Sequence, residues 1–258
     1  MEYHLSTASG FTKKVNAYFF DHLSYGFCDG VIPISHYLED VVRKRFTHKP
    51  TLILPVLADY HISVDTADSL TLISELGAQK YFLYCAGIGY RDTCEFVTRS
   101  FIELGNPDVK LVMVLSGHPR SIAEFRNQYE KYGNIVVLSD LTYSQLYSCY
   151  QNALALLVPL REQRKDEARF PQKIAEYLSS ARPIITNGFG EINFHFRDKD
   201  NAFVVDNYNE SMFCEAMNFV LNNPKIAEGI GLRGREYGLS HFHYQVHSTR
   251  LMSFIESL

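Results

Sequence analysis

"KYFLYCAGIGYRDTCEFVTRSFIELG", residues 80–105, decides the fold. Its first eight residues are almost all apolar, which predicts a strand buried on both faces. Two glycines and an arginine follow, and then apolar residues at helical spacing predict a helix over "DTCEFVTRSFIELG". Strand, glycine turn and helix make up the opening of a βαβ unit.

Working outward, the same alternation recurs. "VKLVMVLSG" (109–117) precedes helical "SIAEFRNQYEKYG", and "NIVVLSD" (134–140) precedes "TYSQLYSCYQNA". "LALLVPL" (154–160), "RPIIT" (182–186) and "NAFVVD" (201–206) are further strands, and the tail is helical. From Lys80 this predicts about six strands in an α/β doubly wound parallel sheet with right-handed crossovers. Ligands on such sheets bind beyond the carboxyl ends of the strands. The turns at Gly87–Arg91, Ser116–Gly117, Ser139–Tyr143 and Arg161–Phe170 are therefore the places to search.

Upstream, "GVIPIS" (30–35) and "TLILPV" (51–56) read as strands on either side of helical "HYLEDVVRKRF". Residues 1–56 are too few for a second sheet domain and are expected to form an incomplete appendage. A linker is expected over 57–64, the main domain over 65–240 and a terminal helix over 241–258.

The chain has 258 residues, 46% of them apolar, 21% charged, with a formal net charge of −4. That balance excludes a nucleic-acid binder relying on a general basic surface. "VVRKRF" (41–46) reads as a solvated helix face or as a membrane-facing basic patch, and "REQRK" (161–165) as a solvated face. No apolar run reaches a membrane span, and "MEYHLSTASG" has no signal-peptide core. Five scattered cysteines without metal spacing fit a reduced, cytoplasmic setting, with membrane association through the basic patch as the alternative.

At the turns, Gly87 and Gly89 let a backbone approach a ligand closely, and Arg91 is a candidate phosphate clamp; an ordinary glycine turn is the alternative. "ARFPQKIAEYLSSARPIITNGFGEI" (168–192) puts Pro171 at an expected helix start. The free N–H groups of that first turn suit a phosphate. Glu176 lies beside the apolar stripe of Ile174, Tyr177 and Leu178. Its carboxylate is a candidate ligand of a ribose diol, or else an exposed helix glutamate. "DKD" (198–200) and "HFHYQVH" (241–247) read as a solvated turn and as terminal-helix packing, and no metal is expected.

The segment from about Cys28 to Leu258 resembles the C-terminal half of a GT-B glycosyltransferase, closest to glycosyltransferase family 4. "CDGVIPISHYLEDVVRK" is similar to the end of that family's N-terminal domain. "YCAGIGYRDTCEFVTRSF" is similar to its phosphate turn, and "ARFPQKIAEYLSSARPIITNGFGEI" to its donor motif. The resemblance implies that Gly87, Gly89, Arg91, Phe170, Pro171, Gln172 and Lys173 surround the diphosphate of a nucleotide-sugar donor. It implies Glu176 on the ribose, and Ser139, Asp140, Leu141, Thr142 and Tyr143 on the base side. Ala168 stands where the family carries its first glutamate, and Ile88 and Tyr90 stand where it carries a second basic residue.

The implied activity is hexosyl transfer from a nucleotide diphosphate sugar to an acceptor hydroxyl, with no cofactor. The implied partners are the nucleotide sugar and a separate acceptor-side domain or protein, without which the isolated chain is expected to be inactive. A non-catalytic nucleotide-sugar-binding module or gene remnant, another GT-B enzyme such as an epimerase, and a flavodoxin-like regulator with Asp140 at its strand end are the rival readings.

Overall fold

The computed structural model describes residues 15, 16, 18, 19, 23–62 and 80–258. The end of the expected linker and the expected domain start at residue 65 lie outside the described residues. Six strands form one parallel sheet: β1 Lys80–Gly87, β2 Val109–Ser116, β3 Ile135–Leu138, β4 Ala155–Val158, β5 Ile184–Asn187 and β6 Phe203–Val205. Their order is β3-β2-β1-β4-β5-β6. β1 pairs along its whole length with β2, from Lys80↔Val109 to Gly87↔Ser116, and with β4 through Phe82↔Ala155 and Leu83↔Leu156.

The α-helices with described bounds are α1 His36–Arg45, α2 Arg91–Leu104, α3 Pro119–Tyr129, α4 Tyr143–Asn152, α5 Arg164–Ala168, α6 Lys173–Ser179, α7 Ile192–His195, α8 Glu210–Asn222, α9 Pro224–His241 and α10 Tyr244–Glu256. α2 shows why such stretches coil. Cys94, Val97, Thr98 and Phe101 recur at helical spacing and are all buried. Gly105, at φ +62°, ends the helix in the left-handed conformation and returns its N–H to the Ile102 carbonyl at 3.1 Å.

Each face of the sheet has its own core. Leu83, Leu156 and Ile184 pack with Tyr150, Tyr177 and Leu178 on one face. Phe82, Leu111, Met113 and Leu157 pack with Phe101, Phe125 and Phe213 on the other. Each such fully buried side chain contributes about 1.5–3 kcal/mol of transfer free energy, which explains the nearly unbroken apolar strands.

Upstream, the structure departs from the expected strands. "GVIPIS" and "TLILPV" run side by side but form only an isolated parallel bridge, Val31↔Thr51, with one further bond from the Leu54 N–H to the Pro33 carbonyl at 3.0 Å. Pro33 has no N–H to donate between those bonds, so the bridge does not grow into a continuous ladder. α1 follows, capped by Ser35, whose Oγ accepts the Leu38 N–H. Val42 on its inner side is buried, and Arg43 pairs with Glu39 at 2.9 Å.

The chain crosses between its two parts twice, side by side. The Ala58 N–H donates to the Phe242 carbonyl at 3.0 Å, and Ala58 bridges His243. Arg235 on α9 donates to the Tyr60 carbonyl at 3.2 Å. Beyond the second crossing, α10 carries Phe254 and Leu258 back against Gly30. Among the described residues no helix is long and apolar enough to cross a membrane.

Candidate functional site

In the order β3-β2-β1-β4-β5-β6 the winding reverses between β1 and β4. The crevice of such a sheet lies outside the carboxyl ends of those two strands. Three loops meet there: Gly87–Arg91 after β1, Pro159–Phe170 after β4 and Gly188–Glu191 after β5.

Buried Asn187 ends β5 and fixes the start of the second loop. It accepts the Leu160 N–H and donates to the Leu160 carbonyl, both at 2.8 Å. The loop then turns into the short α5, whose Asp166 has no exposed surface. Asp166 Oδ2 accepts from the Arg161 N–H at 3.2 Å, from Arg161 Nε at 3.3 Å and from Gln163 Nε2 at 2.9 Å. Arg169 Nε lies 2.7 Å from Oδ1, an ion pair without hydrogen-bond alignment. Within residues 161–165, Glu162, Gln163 and Arg164 are exposed as expected of a solvated face, whereas Arg161 and Lys165 are half-buried. Arg161 is mostly covered and also reaches Asp92 at 3.3 Å, and Lys165 Nζ stands 4.3 Å from the centre of the Tyr90 ring. A carboxylate removed from water needs cations beside it, and it draws in the basic residues around it.

The third loop is seated on α5. Gly190 has φ +57°, and a Cβ there would lie 3.1 Å from Glu167 Cα and 3.2 Å from its carbonyl oxygen. Next to it, Glu191 is buried and holds α1. The His36 N–H donates to Glu191 Oε2 at 2.8 Å, and His36 Nδ1 lies 2.8 Å from Oε1. His195 Nε2 lies 3.3 Å from Oε1, off the line of a hydrogen bond. Burial pushes the Glu191 carboxyl up, but the contacts from His195, the His36 amide and the His36 ring outweigh it and hold its pKa below the ordinary 4.5. Ser35 Oγ donates to the Ala168 carbonyl at 2.7 Å, so α1 also touches the end of α5.

The helix expected from Pro171 begins two residues later, at Lys173. The Ile174 N–H returns to the Pro171 carbonyl at 3.0 Å, so the entry is a tight three-residue turn. Phe170 is buried and stacks on His195 with ring centres 5.1 Å apart, while Gln172 is exposed. Glu176 is half-buried, and its Oε2 accepts from the buried Tyr150 hydroxyl at 3.3 Å. Lys173 and Glu176 both act on buried Cys85 of β1: burial lifts the thiol to about 11, Lys173 lowers it and Glu176 raises it. Tyr143, at the start of α4, has its hydroxyl pKa raised by burial and by the Glu176 charge. The Ser139–Tyr143 loop therefore ends, at Tyr143, within electrostatic range of Glu176. Its Asp140 sits at φ +58°, and Thr142 and Gln145 form a reciprocal cap for α4.

Gly87 and Gly89 occupy the turn after β1; a Cβ at Gly89 would meet nothing within 4 Å, so its backbone borders open space. Arg91 opens α2, but its guanidinium turns toward α3, with Nε 3.0 Å from Glu95 Oε1 and Nη2 2.6 Å from Gln128 Oε1. Among the described residues no three His, Cys, Asp or Glu side chains are grouped to hold a metal. His247 is spent on the His241 carbonyl at 2.7 Å, and Asp198 on the Val204 N–H at 3.0 Å. Sequence reasoning missed Asp166, Arg169 and the His36–Glu191 pair. The one available signal was the place of Asp166, Arg169 and Glu191 after β4 and β5, at the carboxyl edge; none pointed to His36.

Residues 79–223 match the family described as "Glycosyl transferases group 1". No curated protein matches the chain. Among solved structures, Anabaena HepE in complex with UDP and glucose is similar with a TM-score of 0.77 and 13% identity, over 95% of this chain and 67% of that one. Sucrose-phosphate synthase from Thermosynechococcus elongatus is similar with a TM-score of 0.77 and 17% identity, over 98% and 64%. The chain therefore spans about two thirds of the length of either. The C-terminal domain of the group 1 glycosyl transferase LpcC from Francisella tularensis is similar with a TM-score of 0.57 and 14% identity, over 72% of this chain and 98% of that domain. The sheet is thus that of a GT-B C-terminal domain. With its winding reversal between β1 and β4 and its match over residues 79–223, the chain belongs to the glycosyl transferases group 1 family.

Proposed function

We propose that this chain binds a nucleotide diphosphate sugar at the β1–β4 crevice and serves hexosyl transfer to an acceptor hydroxyl. Glu176 carries the reading. A half-buried carboxylate at the carboxyl edge, beside Lys173 and Tyr143, has the chemistry to accept both hydroxyls of a ribose. The base then lies along Ser139–Tyr143. The diphosphate lies between the Gly87–Arg91 turn and the Phe170–Lys173 entry, where Gly89 leaves the backbone open to it. Family membership supports the same assignment, as do the UDP and UDP-glucose held by HepE, a structural neighbour. The protein's contribution to the reaction is electrostatic: positive charge and N–H groups set in place where the departing diphosphate gathers negative charge.

The alternative of a binding module without transfer is favoured by Ala168, whose methyl replaces a carboxylate facing the sugar in the resembled motif. One experiment separates the readings. The purified chain is titrated with UDP-, GDP- and ADP-sugars in saturation-transfer NMR, and product formation is then followed by mass spectrometry with candidate acceptors. Sugar-nucleotide binding with multiple-turnover transfer supports the enzyme. Binding without transfer, even when a candidate acceptor-side partner protein is added, supports the module. No binding overturns both.

A further inference from the structure

The crevice takes its positive charge from an unexpected side. In the turn after β1 the single cation is Arg91, and its guanidinium is already held by Glu95 and Gln128 and lies 5.9 Å from the centre of the Phe125 ring. Tyr90, the residue before it, is instead covered from the loop after β4. Lys165 Nζ lies 4.3 Å and Arg169 Cζ 5.0 Å from the centre of its ring. Cations over an aromatic face are attracted to it and lose freedom there. Arg169 is fixed a second time by its Nε, 2.7 Å from buried Asp166. Its Nη1 and Nη2 have no hydrogen-bond partner among the described residues. The result is a guanidinium held at its base and over one ring, with its outer fork unused. It stands at Tyr90, one residue from the exposed backbone of Gly89.

We propose that Arg169, with Lys165 beside it, binds the diphosphate of the donor from the β4 side of the crevice. The guanidinium fork matches two phosphate oxygens, and the lysine adds a point charge. Asp166 positions Arg169 and touches no ligand. The proposal rests on the nucleotide-sugar reading above and adds to it the residues that read the diphosphate.

The test is calorimetric titration of the full chain with UDP, GDP and ADP and with the matching nucleosides. The wild type is compared with Arg169→Gln, Arg169→Lys and Lys165→Gln. Lys165→Gln leaves the buried Asp166 pairing intact, so it remains informative if Arg169→Gln unfolds. For the diphosphate that binds, each glutamine variant is expected to weaken affinity about tenfold to a hundredfold. Nucleoside affinity stays unchanged, and Arg169→Lys recovers only part of the loss. Wild-type diphosphate affinity in both glutamine variants overturns the assignment and leaves the site reading standing. A wild type that binds none of the three diphosphates overturns the site reading and this proposal together.

Discussion

At the scale of single residues, two glutamates do opposite jobs. Glu176 keeps part of its carboxylate open while bonded to Tyr150. Glu176→Ala is expected to weaken nucleoside diphosphate binding by about 1.5–3 kcal/mol, the range for hydrogen bonds to a charged group. Tyr150→Phe, which leaves the carboxylate in place, should cost less than half of that; calorimetry on both variants checks it. Glu191 is closed off and serves structure. Its pKa in the folded protein is lowered, so the stability it contributes is complete above the ordinary 4.5 and is lost as pH falls through the lowered value. Glu191→Gln is expected to destabilise the fold at neutral pH by about 1–3 kcal/mol, because it weakens the contacts made by two histidines and a backbone N–H. The variant's acid unfolding curve should also be flatter below the ordinary carboxylate range. Thermal melts from pH 3 to 7 test both expectations.

At the scale of elements, close approach sets the tolerances. Gly231 faces the end of α6 from within α9, and a Cβ there would collide with the Ala181 carbonyl oxygen and crowd the Pro183 nitrogen at 2.8 Å. Gly231→Ala should lower stability by about 1–3 kcal/mol, the range for overpacking, although alanine favours helices. Chemical denaturation would show a lower midpoint, and an unchanged midpoint would mean that α9 yields freely. How much of the site was legible in the sequence follows the same logic. β1 and α2 could be read because their burial is written in apolar spacing along one stretch of chain. Glu176 could be placed because it belongs to a helix whose stripe is visible. Asp166 could not, because its partners are polar neighbours in "REQRKDEARF" and Gly190, which backs onto its carbonyl, is distant in sequence. The segments expected as strands at 30–35 and 51–56 do pair, but only as one bridge, because apolar composition was weighed without Pro33, whose missing N–H interrupts the ladder.

At the scale of the whole molecule, polar contacts help join the upstream segment to the loops of the sheet domain. Ser35 reaches Ala168, and His36 reaches Glu191. His36→Ala keeps the backbone bond but removes the ring that lies on Glu191 and stacks on Phe194 at 3.9 Å. Hydrogen exchange in α1 should speed up about tenfold, as expected for the loss of roughly 1.4 kcal/mol of local protection, while β1 and β2 keep theirs. Equal acceleration in the sheet would show that the two parts open as one. The paired crossings at Ala58 and Phe242–His243 have a mechanical consequence. Two covalent threads lying side by side act as the two pins of a hinge: they leave one axis of rotation soft and stiffen the joint against twist. Since α10 continues from the second pin to lie against Gly30, a probe attached at Leu258 would report on the upstream segment rather than on the sheet whose chain it ends.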